Sequence, residues 1–214
     1  MWRCPLCCSG DVADFHQDRR RRYFRCRDCA LIFVDRAALP ALAEERAIYE
    51  LHRNHPDDPG YRRFLERLAA PLAERLGPAR LEGLDFGCGP GPTLSRMMEE
   101  RGYSMSVYDP LFAADRSTLG RTYDFITCSE TFEHFHAPAR EWSLLLALLR
   151  PGGWLGVMTQ LARDVQAFAG WRYKNDVTHV SFFSRETFEW LARRDRLVLE
   201  FVGADVILLR SLAT

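Results

Sequence analysis

The stretch Leu84-Asp85-Phe86-Gly87-Cys88-Gly89-Pro90-Gly91 carries the strongest chemical signal in this chain. An apolar strand pattern runs into Asp85, a glycine-rich turn follows, and Leu94, Met97 and Met98 then recur at helical spacing. Strand, glycine turn and helix open a nucleotide-binding α/β unit. A dinucleotide fingerprint needs a third small residue where Pro92 stands, and backbone N–H groups aimed at a pyrophosphate. Pro90 and Pro92 each remove one such donor, and Asp85 adds negative charge that repels a pyrophosphate. A cofactor with an ammonium and a sulfonium suits this turn better, and S-adenosylmethionine (SAM) is such a cofactor. Gly87, Gly89 and Gly91 would let the backbone approach it, and Asp85 would sit near its ammonium, directly or through water.

A second constellation lies near the N-terminus. Cys4-Pro-Leu-Cys7 and Cys26-Arg-Asp-Cys29 make C-x2-C-x18-C-x2-C, a spacing that reads as a Zn²⁺ site. Each pair can fold as a knuckle presenting two thiolates, with a hairpin between them bringing the knuckles together. Cys8 is a fifth thiol beside Cys7, but the C-P-x-C form favours Cys4 and Cys7. So short a segment, a zinc ribbon over 1–36, has little core of its own, and metal binding would supply much of its folding free energy. Arg19 to Arg22 form a basic run on that hairpin, either a nucleic-acid contact or a solvated face. Residues 1–36 hold eight Arg against five Asp, and four thiolates on one Zn²⁺ add −2, leaving about +1. That favours the solvated face.

These residues need a frame. The 214-residue chain is long enough for one substantial core and a small satellite. Its 29 basic and 29 acidic residues cancel, so nothing global argues for nucleic acid or an anionic membrane. There is no 18-residue apolar run and no apolar signal region after Met1, so a cytoplasmic protein with no membrane partner is expected. Residues 37–78 read as a helical linker or lid. Leu39, Leu42, Arg46 and Tyr49, then Phe64, Leu65, Leu68, Leu72 and Leu76, recur at helical spacing about a loop at 52–60. Pro71 should kink the second helix or begin a new one. Strand patterns follow at 81–86, 104–108, 123–128 and 154–159, and Leu197–Val202 with Asp205–Leu209 reads as a terminal hairpin.

Asp85-Phe86-Gly87-Cys88-Gly89-Pro90-Gly91 resembles motif I of class I SAM-dependent methyltransferases, and the resemblance runs over roughly 80–210. Tyr108-Asp109-Pro110 is similar to the acidic end of that family's second strand. Tyr123 to Glu130 is similar to its fourth strand, Glu133-His134-Phe135 to the E-H signature after it, and Leu149-Arg150-Pro151-Gly152-Gly153 to the turn before strand five. Asp176-Val-Thr178-His179-Val-Ser-Phe-Phe-Ser184 resembles a segment of a bacterial subgroup that also carries an N-terminal zinc ribbon. The resemblance implies an α/β, Rossmann-like methyltransferase sheet over 79–214 with a terminal antiparallel hairpin, a zinc ribbon and a helical cap. Only fourteen residues separate Asp109 from Asp124, where the family usually has a helix, a strand and another helix. That region must be shortened, with Asp115 a substitute for the usual adenine-contacting acid.

Asp109, 24 residues after Asp85 and at a strand end, is placed to accept hydrogen bonds from the ribose hydroxyls, the alternative being a turn-forming Asp before Pro110. Ser129 and Glu130 lie on the family's active-site rim. For a hydroxyl acceptor a base helps, and His134, His136 and His179 are the candidates, with His179 and His134 preferred. The alternative for His179 is a loop anchor bonded to backbone or to Asp176, and His134 is often structural at its position. Residues 171–184 would wall the acceptor pocket. Tyr49, His52, His55 and Tyr61 would serve as a lid or pack the ribbon against the main domain. Cys88 and Cys128 read as small buried residues. The expected activity is SAM-dependent methyl transfer to a small-molecule acceptor, with oxygen preferred. The rivals are an RNA base methyltransferase using the ribbon on RNA, and a non-catalytic SAM-binding interaction protein.

Overall fold

The computed structural model describes residues 2–51 and 55–212. Its N-terminal part is a hairpin of β1 (Val12–Gln17) and β2 (Arg22–Cys26), to which β3 (Ile32–Val34) adds antiparallel. Two helices follow, α1 (Leu42–Tyr49) and α2 (Pro59–Leu76). Asp58 caps α2 by accepting the Gly60 and Tyr61 N–H groups. The helix runs through Pro71 without ending there. Leu65, Leu68, Ala69 and Leu72 are buried on both sides of the proline. Their packing outweighs the one backbone bond it removes, so the expected start of a new helix is not found.

The main sheet is built from β4 (Glu82–Phe86), β5 (Ser104–Tyr108), β6 (Tyr123–Ser129), β7 (Leu149–Met158), and the late hairpin β9 (Leu197–Val202) and β10 (Val206–Ser211). Their order is β5-β4-β6-β7-β10-β9; the first four are parallel and β10 is antiparallel to both its neighbours. The helices α3 (Thr93–Glu99), α4 (Pro138–Leu148), α5 (Val165–Ala169) and α6 (Arg185–Asp195) complete the chain, with β8 (Ser181–Phe182) before α6. Tyr123, Phe125, Ile126, Thr127 and Cys128 of β6 are all buried, as a central parallel strand requires. One face of the sheet packs Leu65, Leu68 and Leu72 of α2 and Leu94, Met97 and Met98 of α3 against Phe125 and Leu208.

Two features depart from expectation. β7 begins at Leu149 rather than 154, because Leu149 pairs with Tyr123 and the ladder resumes at Trp154 with Phe125. Arg150 to Gly153 form an irregularity inside the strand, with Gly152 at φ 77°. Between β5 and β6 there is only a bridge from Asp109 to Ala113 and a 3-10 turn at Arg116–Gly120, so β5 is the sheet edge, as the shortened region implied.

The N-terminal strands do not stand apart from the rest. β3 pairs with β8, Ile32 with Phe182 and Phe33 with Ser181, giving a second sheet of order β1-β2-β3-β8. Cys4, Leu6, Phe24, Cys26 and Cys29 share one buried core with Phe86, Phe132, Trp142, Phe188 and Leu191. The expectation of a segment with little core therefore gives way to one whose apolar side chains are part of the main core. Among the described residues no helix is long and apolar enough to cross a membrane.

Candidate active site

Over the carboxyl ends of β4, β5 and β6 lies a cavity of about 1360 Å³. This is where open parallel sheets place their ligands. Its floor begins at the turn between β4 and α3. Gly87, at φ 78°, donates its N–H to Tyr108 O at 2.8 Å, fastening the turn to the end of β5. A Cβ on Gly87 would fall 2.3 Å from Thr131 Cγ2, so only glycine fits this close crossing. Gly89, at φ 63°, lines the cavity with Cys88 and Pro90, and a Cβ placed on it would meet nothing within 4 Å. Gly91 is not part of the lining; its carbonyl accepts the Thr93 N–H at 2.7 Å.

Asp109 lines the cavity and is tied to backbone on both oxygens. Oδ2 accepts the Gly89 N–H at 3.0 Å, and Oδ1 accepts those of Leu111 and Phe112 at 2.8 and 3.1 Å. The turn-forming reading of Asp109 is thus observed, and Oδ2, which accepts a single N–H, keeps acceptor capacity. Asp85 lies beneath the turn, 2% exposed and outside the lining, with Oδ1 accepting the Thr127 hydroxyl at 2.8 Å. Burial pushes its carboxyl up to about 6. Asp115 caps the 3-10 turn through Ser117 N and does not reach the cavity.

Ser129 and Glu130 leave β6 at the cavity rim. Glu130 has φ 48°, a left-handed conformation that turns the chain sharply at the strand end. Its Oε2 accepts the Tyr173 hydroxyl at 3.3 Å, whereas its Oε1 is buried without a hydrogen-bond partner. Burial and the nearby Glu133 push the Glu130 carboxyl up to about 8. Glu133, 1% exposed, accepts the Thr159 hydroxyl on Oε2 at 2.8 Å and has no hydrogen bond on Oε1.

His134 and His179 stand in the same wall, with ring centroids 4.7 Å apart. His134 Nδ1 lies 3.1 Å from Thr178 O and His179 Nδ1 lies 2.7 Å from Tyr173 O. Burial pulls the His179 imidazole below its ordinary value. The backbone anchor foreseen for His179 is thus present, and the ring still faces the cavity. His136 is elsewhere engaged: its Nε2 meets Glu45 Oε1 of α1 at 2.8 Å. Tyr49 packs edge-on against His134 at 5.2 Å, and Tyr49 and Tyr61 line the cavity. His55 does not; it accepts the Asp57 N–H at 3.2 Å. His52 lies outside the described residues. Cys128 is a buried core residue, and Cys88 is half-buried in the lining.

The basic run does not form a single solvated face. Arg21 is 7% exposed. Its guanidinium donates to the carbonyls of Val177 at 3.2 Å, His179 at 2.8 Å, Asp176 at 2.9 Å and also Lys174. Only its neighbours face solvent, Arg22 pairing with the exposed Asp14. Neither Glu133 nor Arg21 was singled out from the sequence as a site residue, and Tyr173 was included only within the 171–184 segment. The E-H pattern pointed near Glu133; no local signal marked Arg21.

The four cysteines converge at the end of β2. Cys4 Sγ is 3.4 Å from Cys29 Sγ, Cys7 Sγ is 3.4 Å from Cys26 Sγ, and all four sulfurs lie within 4.8 Å of one another. Thiolates on one tetrahedral Zn²⁺ stand about 3.8 Å apart, so the donor set and spacing fit the ion. Cys8 is exposed and outside this group.

Among solved structures the chain is similar to the 1,6-didemethyltoxoflavin-N1-methyltransferase of Burkholderia thailandensis, solved with 1,6-didemethyltoxoflavin and S-adenosylhomocysteine. The TM-score is 0.59 at 17% identity over 94% of this chain and 100% of that one. It is also similar to an O-methyltransferase family protein from Burkholderia thailandensis, with a TM-score of 0.50 at 16% identity over 84% of this chain and 66% of that one. No curated protein matches the chain in sequence. The fold is that of the Rossmann-like methyltransferases. A family profile described as a methyltransferase domain matches residues 60–195. The chain belongs to that family and is a class I SAM-dependent methyltransferase.

Proposed function

We propose that the enzyme transfers the methyl group of SAM to a hydroxyl of a small-molecule acceptor held at the Glu130–Glu133–His134–His179 wall. The observation that carries this reading is one cavity lined both by the glycine turn with Asp109 and by that polar wall. Its volume of about 1360 Å³ exceeds the roughly 300–1,000 Å³ usual for a single small ligand, which suits cofactor and acceptor side by side. In this reading Gly87 and Gly89 admit the cofactor, and Asp85 balances its ammonium from beneath the turn. Asp109 takes the ribose, while Ser129 and Glu130 border the transferred methyl. Residues 171–184 wall the acceptor, with Tyr173 and His179 turned toward it.

Transfer is an in-line displacement in which alignment does most of the work. The acceptor oxygen forms the O–C bond while the C–S bond breaks and its electron pair returns to sulfur. The hydroxyl proton leaves at the acceptor wall, beside His179 and His134, and passes to solvent. The discriminating variant is His179→Ala, read by turnover and by S-adenosylhomocysteine affinity. Lower turnover with affinity kept within about twofold supports the placement; unchanged turnover on an established acceptor removes His179 from it.

We also infer one Zn²⁺ on Cys4, Cys7, Cys26 and Cys29. When bound, the ion supplies a structural cross-link between the two knuckles. Backbone bonds then carry that order to the acceptor wall: Val34 N–H donates to Val180 O at 3.0 Å, and Val180 N–H donates to Glu133 O at 2.8 Å.

A further inference from the structure

We propose that Glu133, His134 and His179, with Glu130 beside them, form a second metal site, for a divalent first-row transition ion, in the acceptor end of the cavity. The tautomers come first. A backbone carbonyl only accepts, so the bonds to Thr178 O and Tyr173 O place a proton on Nδ1 of each histidine. In the neutral ring Nε2 then carries a lone pair. This is the arrangement in which metal-ligating histidines are held, the other ring N–H donated to a carbonyl.

The carboxylates repeat the pattern. Glu133 is fixed through Oε2 by Thr159, and Glu130 through Oε2 by Tyr173. The Oε1 atom of each is buried with no hydrogen-bond partner. Leaving a buried carboxylate oxygen bare is costly, and two in one wall call for a ligand that supplies positive charge. Among the described residues no lysine or arginine pairs with either glutamate; the neighbouring Arg67 is paired with Asp205 at 2.8 Å. One ligand atom from each of Glu133, His134 and His179 lies within 4.8 Å of those of the other two, with Glu133 Oε1 at 3.8 Å from His134 Nε2. Three ligand atoms about one ion at roughly 2.1 Å fit inside that span after small rotations.

Imidazole with carboxylate selects ions such as Zn²⁺, Fe²⁺, Co²⁺ or Mn²⁺ over Mg²⁺, which prefers an all-oxygen shell. All four residues line the cavity, so the ion's open positions face the acceptor. Its use in catalysis rests on the acceptor reading above: the ion would hold the acceptor oxygen and lower its hydroxyl pKa, the proton passing to solvent. The histidines then act as ligands rather than as bases. Binding of the ion does not depend on any acceptor.

The test is a Co²⁺ titration of the chelator-dialysed protein, followed by calorimetry and visible absorption. Expected is one equivalent beyond whatever the cysteines take, recognised by the lack of a thiolate-to-cobalt charge-transfer band. Glu133→Gln and His179→Ala should each weaken that equivalent at least tenfold while leaving the thiolate band unchanged. S-adenosylhomocysteine binding confirms that each variant is folded. Absence of the sulfur-free equivalent, or wild-type affinity in Glu133→Gln, overturns the site. Neither result bears on methyl transfer itself, which is read separately by labelling.

Discussion

Arg21 Nη1 donates to the carbonyl of His179 at 2.8 Å, across 158 positions of sequence. The hairpin that follows the first cysteine pair thus holds the loop that carries His179, the residue proposed above to face the acceptor. Three more carbonyls of the same loop converge on that guanidinium. Five rigid donors in a planar fork suit this task, and lysine cannot reproduce it.

Arg21→Ala should therefore loosen the 171–184 loop. Four carbonyls lose a charged donor in a buried setting, a cost of about 2–4 kcal/mol. Expected are a lower melting temperature and reduced turnover with S-adenosylhomocysteine affinity unchanged. Arg21→Lys should recover only part of either loss. Calorimetric melting and ligand titration give the two readings.

Removing zinc should affect the whole molecule. The cysteine sulfurs lie in one core with Trp142, Phe132 and Phe188, and β3 shares a sheet with β8. Cys26→Ala, or chelation, is expected to lower a single cooperative thermal transition. Two separate transitions, an early one for the N-terminal part and an unshifted one for the rest, would show that the shared core does not couple the two parts.

Cofactor affinity should depend on pH through Asp85. Burial raises this carboxyl to about 6 in the free protein, so it is protonated below that pH. An ammonium beside it favours the ionised form and lowers its pKa in the complex. Protons must then leave on binding, and affinity rises as pH rises through about 6. S-adenosylhomocysteine should bind roughly tenfold more weakly at pH 5 than at pH 7.5. Asp85→Asn should flatten the profile, and a flat wild-type profile would place the ammonium elsewhere.

Two glycines should respond differently. Gly87→Ala sets a Cβ 2.3 Å from Thr131 Cγ2 and should destabilise the fold. At Gly89 a Cβ meets open space, so Gly89→Val should fold, bearing about 1–2 kcal/mol of left-handed strain, yet fill cofactor space. Melting temperature separates the first effect, and loss of S-adenosylhomocysteine binding the second.

Strands β4 and β5 were legible because apolar residues alternate in a short segment bounded by turn residues (Leu84 and Phe86, Met105 and Val107), and β6 because Phe125, Ile126 and Cys128 cluster in one, a purely local signal. Gly87, Gly89, Asp109 and the two cysteine pairs were legible for the same reason: their meaning lies in near spacing. What escaped was non-local. Nothing around Ile32 or Phe182 announces that they pair, and nothing in four consecutive arginines marks Arg21 as the buried one. Glu133 was visible within the E-H pattern, but its bare oxygen follows from where Thr159 and His134 fall in space. At Pro71 the packing of α2 carries the helix past the point where the local rule allowed a new one to begin.

Fractionated labelling tests the proposed activity most directly. The purified enzyme is incubated with methyl-labelled SAM and cell extract, which is then separated into small-molecule, RNA and protein fractions. The expected result is enzyme-dependent label in the small-molecule fraction, present as a methyl ether and lost with Gly89→Val. Label confined to RNA, with none in small molecules, would contradict the small-molecule acceptor and turn attention to the exposed arginines beside Arg21.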